Sequence, residues 1–194
     1  MDRSRRLCLA LFGAAAWPAL AQVKVEGYTF AREAVVAGQT LRLNGVGLRA
    51  VAWLKGYAAG LYLVGRATTT ATVLADGGPK RLQLRMLQDV AAEEFVKAFD
   101  KGIARNTPAA ELPQLQERMR SFDALVMGLR KVRKGDLVDL DWLPGQGLSF
   151  AYNGRMLATP IPGADLYAAL LRIFIGPRPV DPEMKTGLLG GPVG

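Results

Sequence analysis

The chain contains no histidine, and its 194 residues include a single cysteine, Cys8. Cys8 falls in an opening stretch built like a leader. Arg3, Arg5 and Arg6 precede an apolar run from Leu7 to Ala16, followed by Pro18 and the small residues Ala19 and Ala21. This reads as a secretory signal, residues 1–21, cleaved after Ala21. The apolar run is well short of the ~20 residues that span a bilayer. The expected mature chain, residues 22–194, then has neither Cys nor His. That excludes a disulfide framework, thiol chemistry, Cys or His zinc sites, a Ser–His–Asp triad and a His- or Cys-ligated haem. Arg, Lys, Tyr, Asp and Glu are left to carry any chemistry, and a periplasmic or secreted location is expected.

Other features are scarce as well. The longest later apolar run, Ala164 to Ile175, is interrupted by Asp165 and Arg172, so no membrane span is expected after the leader. The composition is not that of a disordered chain: 50% of residues are hydrophobic and 22% charged, which suits one globular domain over residues 22–194. Losing three Arg and one Asp with the leader lowers the net charge from +8 to +6. The cations are scattered. Their densest cluster, Arg130-Lys131-x-Arg133-Lys134, has no interleaved aromatics and reads as a solvated helix end, so no nucleic-acid partner is expected.

Periodicity supplies the fold class. Gln39 to Asn44 and Arg81 to Leu87 alternate, the latter with Leu82, Leu84 and Met86 on one face. Val51 to Val64 is a longer extended run in which Gly56 and Gly60 mark a bend or a close backbone approach. A helix follows, capped by Asp89, with Phe95, Phe99 and Ile103 in one stripe. A second runs from Leu112 to about Arg130. Strands return at Asp136 to Leu143, Leu148 to Tyr152 and Arg155 to Thr159, the last two joined by Asn153-Gly154, a strong hairpin signal. A helix over Asp165 to Ile175 precedes a short one opened by Asp181-Pro182. Strands, a helix pair, a strand meander and a helix make an α+β fold, an antiparallel sheet with helices packed on one face.

Three other features have plain structural readings. Asp139 and Asp141 alternate with Val138, Leu140 and Trp142, which reads as a solvated strand face. Glu93 and Glu94 suit the start of a helix. Gly45-x-Gly47 lacks the Lys-Ser/Thr helix start of a phosphate loop.

Several segments together resemble a known family. Asn44-Gly45-Val46-Gly47-Leu48-Arg49, then Lys55-Gly56-Tyr57-Ala58-Ala59-Gly60-Leu61-Tyr62-Leu63, is similar to the opening of the chalcone isomerase domain. Gly135-Asp136, Asp141 to Gly145 and Asn153-Gly154 resemble its middle. Gly176-Pro177-x-Pro179-Val180-Asp181 and Leu188 to Gly191 resemble the end of the bacterial chalcone isomerase-like proteins. The resemblance covers Tyr28 to Gly191. It implies an open-faced β-sandwich with a cleft between the large sheet and the helices.

The resemblance also implies site residues. Arg49 matches the family arginine that meets a phenolate in the plant enzymes and a carboxylate in related fatty-acid-binding members. A guanidinium suits either anion; read from its neighbours alone, Arg49 is a structural ion pair or a surface arginine beside a glycine turn. Tyr57 stands where the enzymes have threonine, and is either a hydrogen-bond donor to a ligand or a core aromatic. Tyr167 falls near an enzyme Ser or Thr position and either lines the cleft or packs. The enzymes' helix tyrosine has no counterpart, because no tyrosine lies between Tyr62 and Tyr152. Phe95 or Phe99 fills that face, and Asn106 comes late in the helix. No residue is assigned a catalytic role. The expectation is a non-catalytic protein that binds a small hydrophobic anion, such as a fatty acid, through Arg49, with no cofactor and no metal. Two alternatives stand beside it: a chalcone isomerase-type intramolecular lyase acting on a flavonoid-like or enone substrate, and a partner-binding protein with a vestigial cleft.

Overall fold

A computed structural model describes residues 22–51 and 54–192. The expected leader, residues 1–21, lies outside them. Eleven strands and five helices are described. The chain opens with three short strands, β1 (Gln22–Val25), β2 (Tyr28–Ala31) and β3 (Glu33–Val36). Two long ones follow, β4 (Gln39–Val51) and β5 (Leu54–Leu63). After α1 (Thr70–Ala75) and β6 (Lys80–Met86), the two-residue β7 (Val90–Ala91) leads into α2 (Ala92–Asn106) and α3 (Leu112–Gly128). Then come β8 (Lys131–Val132), β9 (Leu137–Leu143), β10 (Gly147–Tyr152), β11 (Arg155–Met156), α4 (Ala164–Ile175) and α5 (Pro182–Leu188).

The main sheet has seven antiparallel strands in the order β11-β10-β9-β6-β5-β4-β3. Two-residue turns close its outer hairpins and the separate two-stranded ribbon of β1 and β2. Asn153-Gly154 joins β10 to β11 with both residues at positive φ, and Glu26-Gly27 and Ala37-Gly38 do the same for β1–β2 and β3–β4. Such turns match the twist of the strands they connect. Along β5, Ala59, Leu61 and Leu63 face the helices while Ala58 and Tyr62 face away, as strand alternation requires. Gly60 lies under Phe30 of the β1–β2 hairpin: a Cβ there would stand 2.7 Å from the ring. That is the close approach expected of this glycine.

The larger core lies between sheet and helices. Leu61, Leu82, Leu84, Met86 and Leu140 lie beneath Phe99, Ile103, Phe122, Leu166 and Leu170, all buried. Phe99 stacks on Phe122 at 4.2 Å, and Phe122 on Phe150 at 5.5 Å. Such contacts add about 0.5–1.5 kcal/mol each beyond the burial itself. On the other face, Val25 and Phe30 of the hairpin cover Val46 and Ala58.

Two local expectations are corrected. Asp89 does not cap α2: the helix starts at Ala92 with Ala91 as its uncapped N-cap residue. Asp89 instead accepts from the Lys134 N–H and pairs with Lys131, because the β7–β8 ladder brings that loop to it. Asp139 and Asp141 are not solvated. They are 6% and 8% exposed. Arg81, directly across from Asp141, donates to both its carboxylate oxygens at 2.7 Å, and Gln83, across from Asp139, donates at 2.8 Å. Burial raises the Asp141 carboxyl above its ordinary range, while the Arg81 hydrogen bonds pull it back.

Candidate functional site

Arg49 and Tyr57 are paired across β4 and β5, so both project from the helix-covered face of the sheet. Tyr57 enters an apolar cleft of about 70 Å³ beneath α2 and α4, sharing its walls with Leu84, Phe95, Phe99, Phe174 and Val180. Its ring meets Phe174 edge-on at 6.4 Å. Among the described residues it is the one polar side chain lining this cleft. Burial pushes its phenol well above the usual range, with Arg49 pulling it down and Asp181 pushing it up. Tyr57 is therefore a neutral hydroxyl, a donor rather than a base.

Arg49 stands beyond Tyr57, outside the cleft wall itself. Its Nη1 meets Asp181 Oδ2 at 3.4 Å, with the two side chains 26% and 14% exposed. Asp181 follows the wall residue Val180 and caps α5: its Oδ1 accepts from the N–H groups of Glu183 at 2.9 Å and Met184 at 3.1 Å. Pro182 in the first turn completes the start that the sequence predicts.

α5 reaches this position because β4 is bare beneath it. A Cβ on Gly47 would come within 2.5 Å of the Met184 carbonyl oxygen, and one on Gly45 within 2.0 Å of that of Gly187. The Gly45-x-Gly47 pair is thus a seat for a helix backbone. Between these glycines and β3, Asn44 sits at a register shift. Its side chain donates to the Ala67 and Leu188 carbonyls and accepts from the Ala67 N–H, all at 2.8 Å.

A family model described as chalcone isomerase-like matches residues 22–190. The chain belongs to the chalcone isomerase-like family. No curated protein matches it by sequence. Among solved structures, a fatty-acid binding protein of Arabidopsis thaliana is similar at a TM-score of 0.68 and 18% identity, covering 88% of this chain and 96% of that one. The family's open-faced sandwich is the fold observed here.

Within this chalcone isomerase-like chain, Arg49 and Tyr57 are brought together and Tyr167 is not. Tyr167 is 3% exposed, donates to the Leu140 carbonyl at 3.2 Å and packs on Trp142. It borders a different cavity, with Val73, Lys80 and Trp142. Phe95 and Phe99 do take the α2 face toward the cleft. Asn106 reaches neither cavity: it is buried, accepts from the Arg178 N–H at 2.9 Å and donates to the Arg178 carbonyl at 2.8 Å, fixing the loop that carries Val180 and Asp181. The candidate site residue that sequence reasoning missed is Asp181, which figures there as a helix cap and as the end of a family-like segment, not as a partner of Arg49. No group of three or more acidic, Cys or His side chains that could hold a metal stands together among the described residues. No helix among them is long and apolar enough to cross a membrane.

Proposed function

We propose that this protein binds a small hydrophobic anion, fatty-acid-like in character, without turning it over, and works in the periplasm or outside the cell. The observation that carries this reading is the juxtaposition of an apolar cleft, polar among the described residues only at Tyr57, with the Arg49 guanidinium on the same face. The cleft would take the hydrocarbon and Arg49 the charged head. The fatty-acid binding protein of similar fold supports the ligand class. The lining also weighs against a lyase: closing a ring onto an enone needs several donors aimed at a developing enolate, and among the described lining residues Tyr57 is the single donor, Phe95 and Phe99 on the α2 face offering none.

A second reading, a partner-binding protein with a vestigial cleft, has its own support. The cleft, at about 70 Å³, is far below the roughly 300 Å³ of ordinary ligand sites, and Arg49 already meets Asp181. A ligand longer than a few carbons must therefore displace wall side chains.

Native mass spectrometry of the mature protein, purified from its own host beside Arg49→Ala, separates the two readings. A bound lipid-like anion on the parent, lost in the variant, is expected. An empty parent whose variant is only less stable would leave the partner-binding reading.

A further inference from the structure

The anchor proposed above is not a lone cation, and its partner is tied to the start of α5. Asp181 divides its carboxylate. Oδ1 is committed to the first turn of α5, and Oδ2 faces Arg49 at 3.4 Å. Swinging Asp181 away would uncap α5, whose backbone is seated directly on Gly45 and Gly47. The loop before it is tied down as well. Val180 N–H donates to the Ile173 carbonyl at 2.7 Å, Asn106 brackets Arg178, and Lys185 Nζ donates to the Gly176 carbonyl at 2.9 Å. A negative charge is therefore built in beside Arg49, and the Tyr57 phenol at the cleft wall feels both charges.

We infer that Asp181 is a specificity-determining residue, which weakens binding of anionic heads relative to neutral hydrogen-bonding heads on the same hydrocarbon. The inference rests on the proposed ligand site. A carboxylate that reaches Arg49 also approaches Asp181, and the like charges repel in a partly buried setting where screening is incomplete. A hydroxyl or carbonyl head bears no such penalty: it accepts from Arg49 or Tyr57 and, as a hydroxyl, donates to Asp181. Removing the Asp181 charge while keeping the cap should shift the preference toward anions. Asparagine caps helices about as well as aspartate.

The test is calorimetric titration of decanoate and decanol, matched in chain length, into the mature wild-type protein, Asp181→Asn and Arg49→Ala at neutral pH. In Asp181→Asn the ratio of decanoate to decanol affinity should rise about tenfold. Asp181→Ser, which also caps without charge, should do the same and stands in if the asparagine variant does not fold. If the wild type binds decanoate in an Arg49-dependent way but the ratio stays within about twofold in both neutral variants, the Asp181 inference is overturned and the anchor stands. If neither probe binds any variant, or decanoate binding ignores Arg49, the ligand reading itself fails and the inference with it.

Discussion

Gly45 and the carbonyl of Gly187 are in backbone-to-backbone contact: the Cβ that Gly45 lacks would stand 2.0 Å from that oxygen. Neither partner is the end of a flexible side chain, so nothing small can give way. Gly45→Ala must lift α5 from β4, and with it the cap at Asp181 that meets Arg49. The expected cost is about 3 kcal/mol, at the upper end for overpacking, read as a lowered midpoint in urea. Glycine positions open to solvent, such as Gly77, should tolerate alanine within about 0.5 kcal/mol. Equal costs at both positions would show that α5 is not held as described.

The Arg81 guanidinium holds two carboxylates on a covered sheet face. Arg81→Met would leave Asp139 and Asp141 buried with only Gln83 as donor. Breaking such a pair from one side costs roughly 3–5 kcal/mol. Urea unfolding at neutral pH checks it, and a loss under about 1 kcal/mol would mean that this face is solvated after all.

That face shows where local pattern stops being informative. Alternation in β6 and β9 correctly separates two faces, with Leu82, Leu84, Val138 and Leu140 inward. It cannot say that the polar face is also covered, because the partners come from the register: Arg81 opposite Asp141, Gln83 opposite Asp139. The helix stripes of Phe99 and Ile103, the Asn153-Gly154 turn and the Asp181-Pro182 start were legible because each is decided within a few residues. Arg49 was legible through its glycine-rich surroundings and the family pattern, but its partner lies 132 positions away. Tyr167 illustrates the same limit: helix phase turns it inward, while the placement of α4 decides which cavity it reaches. The hairpins at Glu26-Gly27 and Ala37-Gly38 carry no strong local signal, because Glu and Ala are uncommon at positive φ.

Asn106 should matter through the loop it fixes. Its amide brackets Arg178 and also donates to the Gly102 carbonyl at 3.0 Å. Asn106→Ala strands the Arg178 N–H and carbonyl, at about 1–3 kcal/mol. Hydrogen exchange should show faster exchange at Arg178 and Val180, with β9 and β10 unchanged. Unaltered exchange at both loop residues would refute the bracket.

Asp123 on α3 and Asp100 on α2 border one surface cavity, with Arg120, Gln116 and Met119. One oxygen of each, Oδ1, is buried without a hydrogen-bond partner. Burial, and then the charge of Asp100, raises the Asp123 carboxyl from 3.8 to about 6; burial raises Asp100 as well. The folded state therefore holds the Asp123 proton more tightly than the unfolded chain. The resulting stabilisation is complete below pH 3.8 and is lost as pH rises through about 6. Asp123→Asn cannot titrate there. The stability difference between wild type and Asp123→Asn should thus move against the wild type across this window and level off above it. Paired urea unfolding curves through the window measure it, with the other carboxylates common to both proteins. A difference that does not change with pH would show that the Asp123 carboxyl titrates as a solvated group.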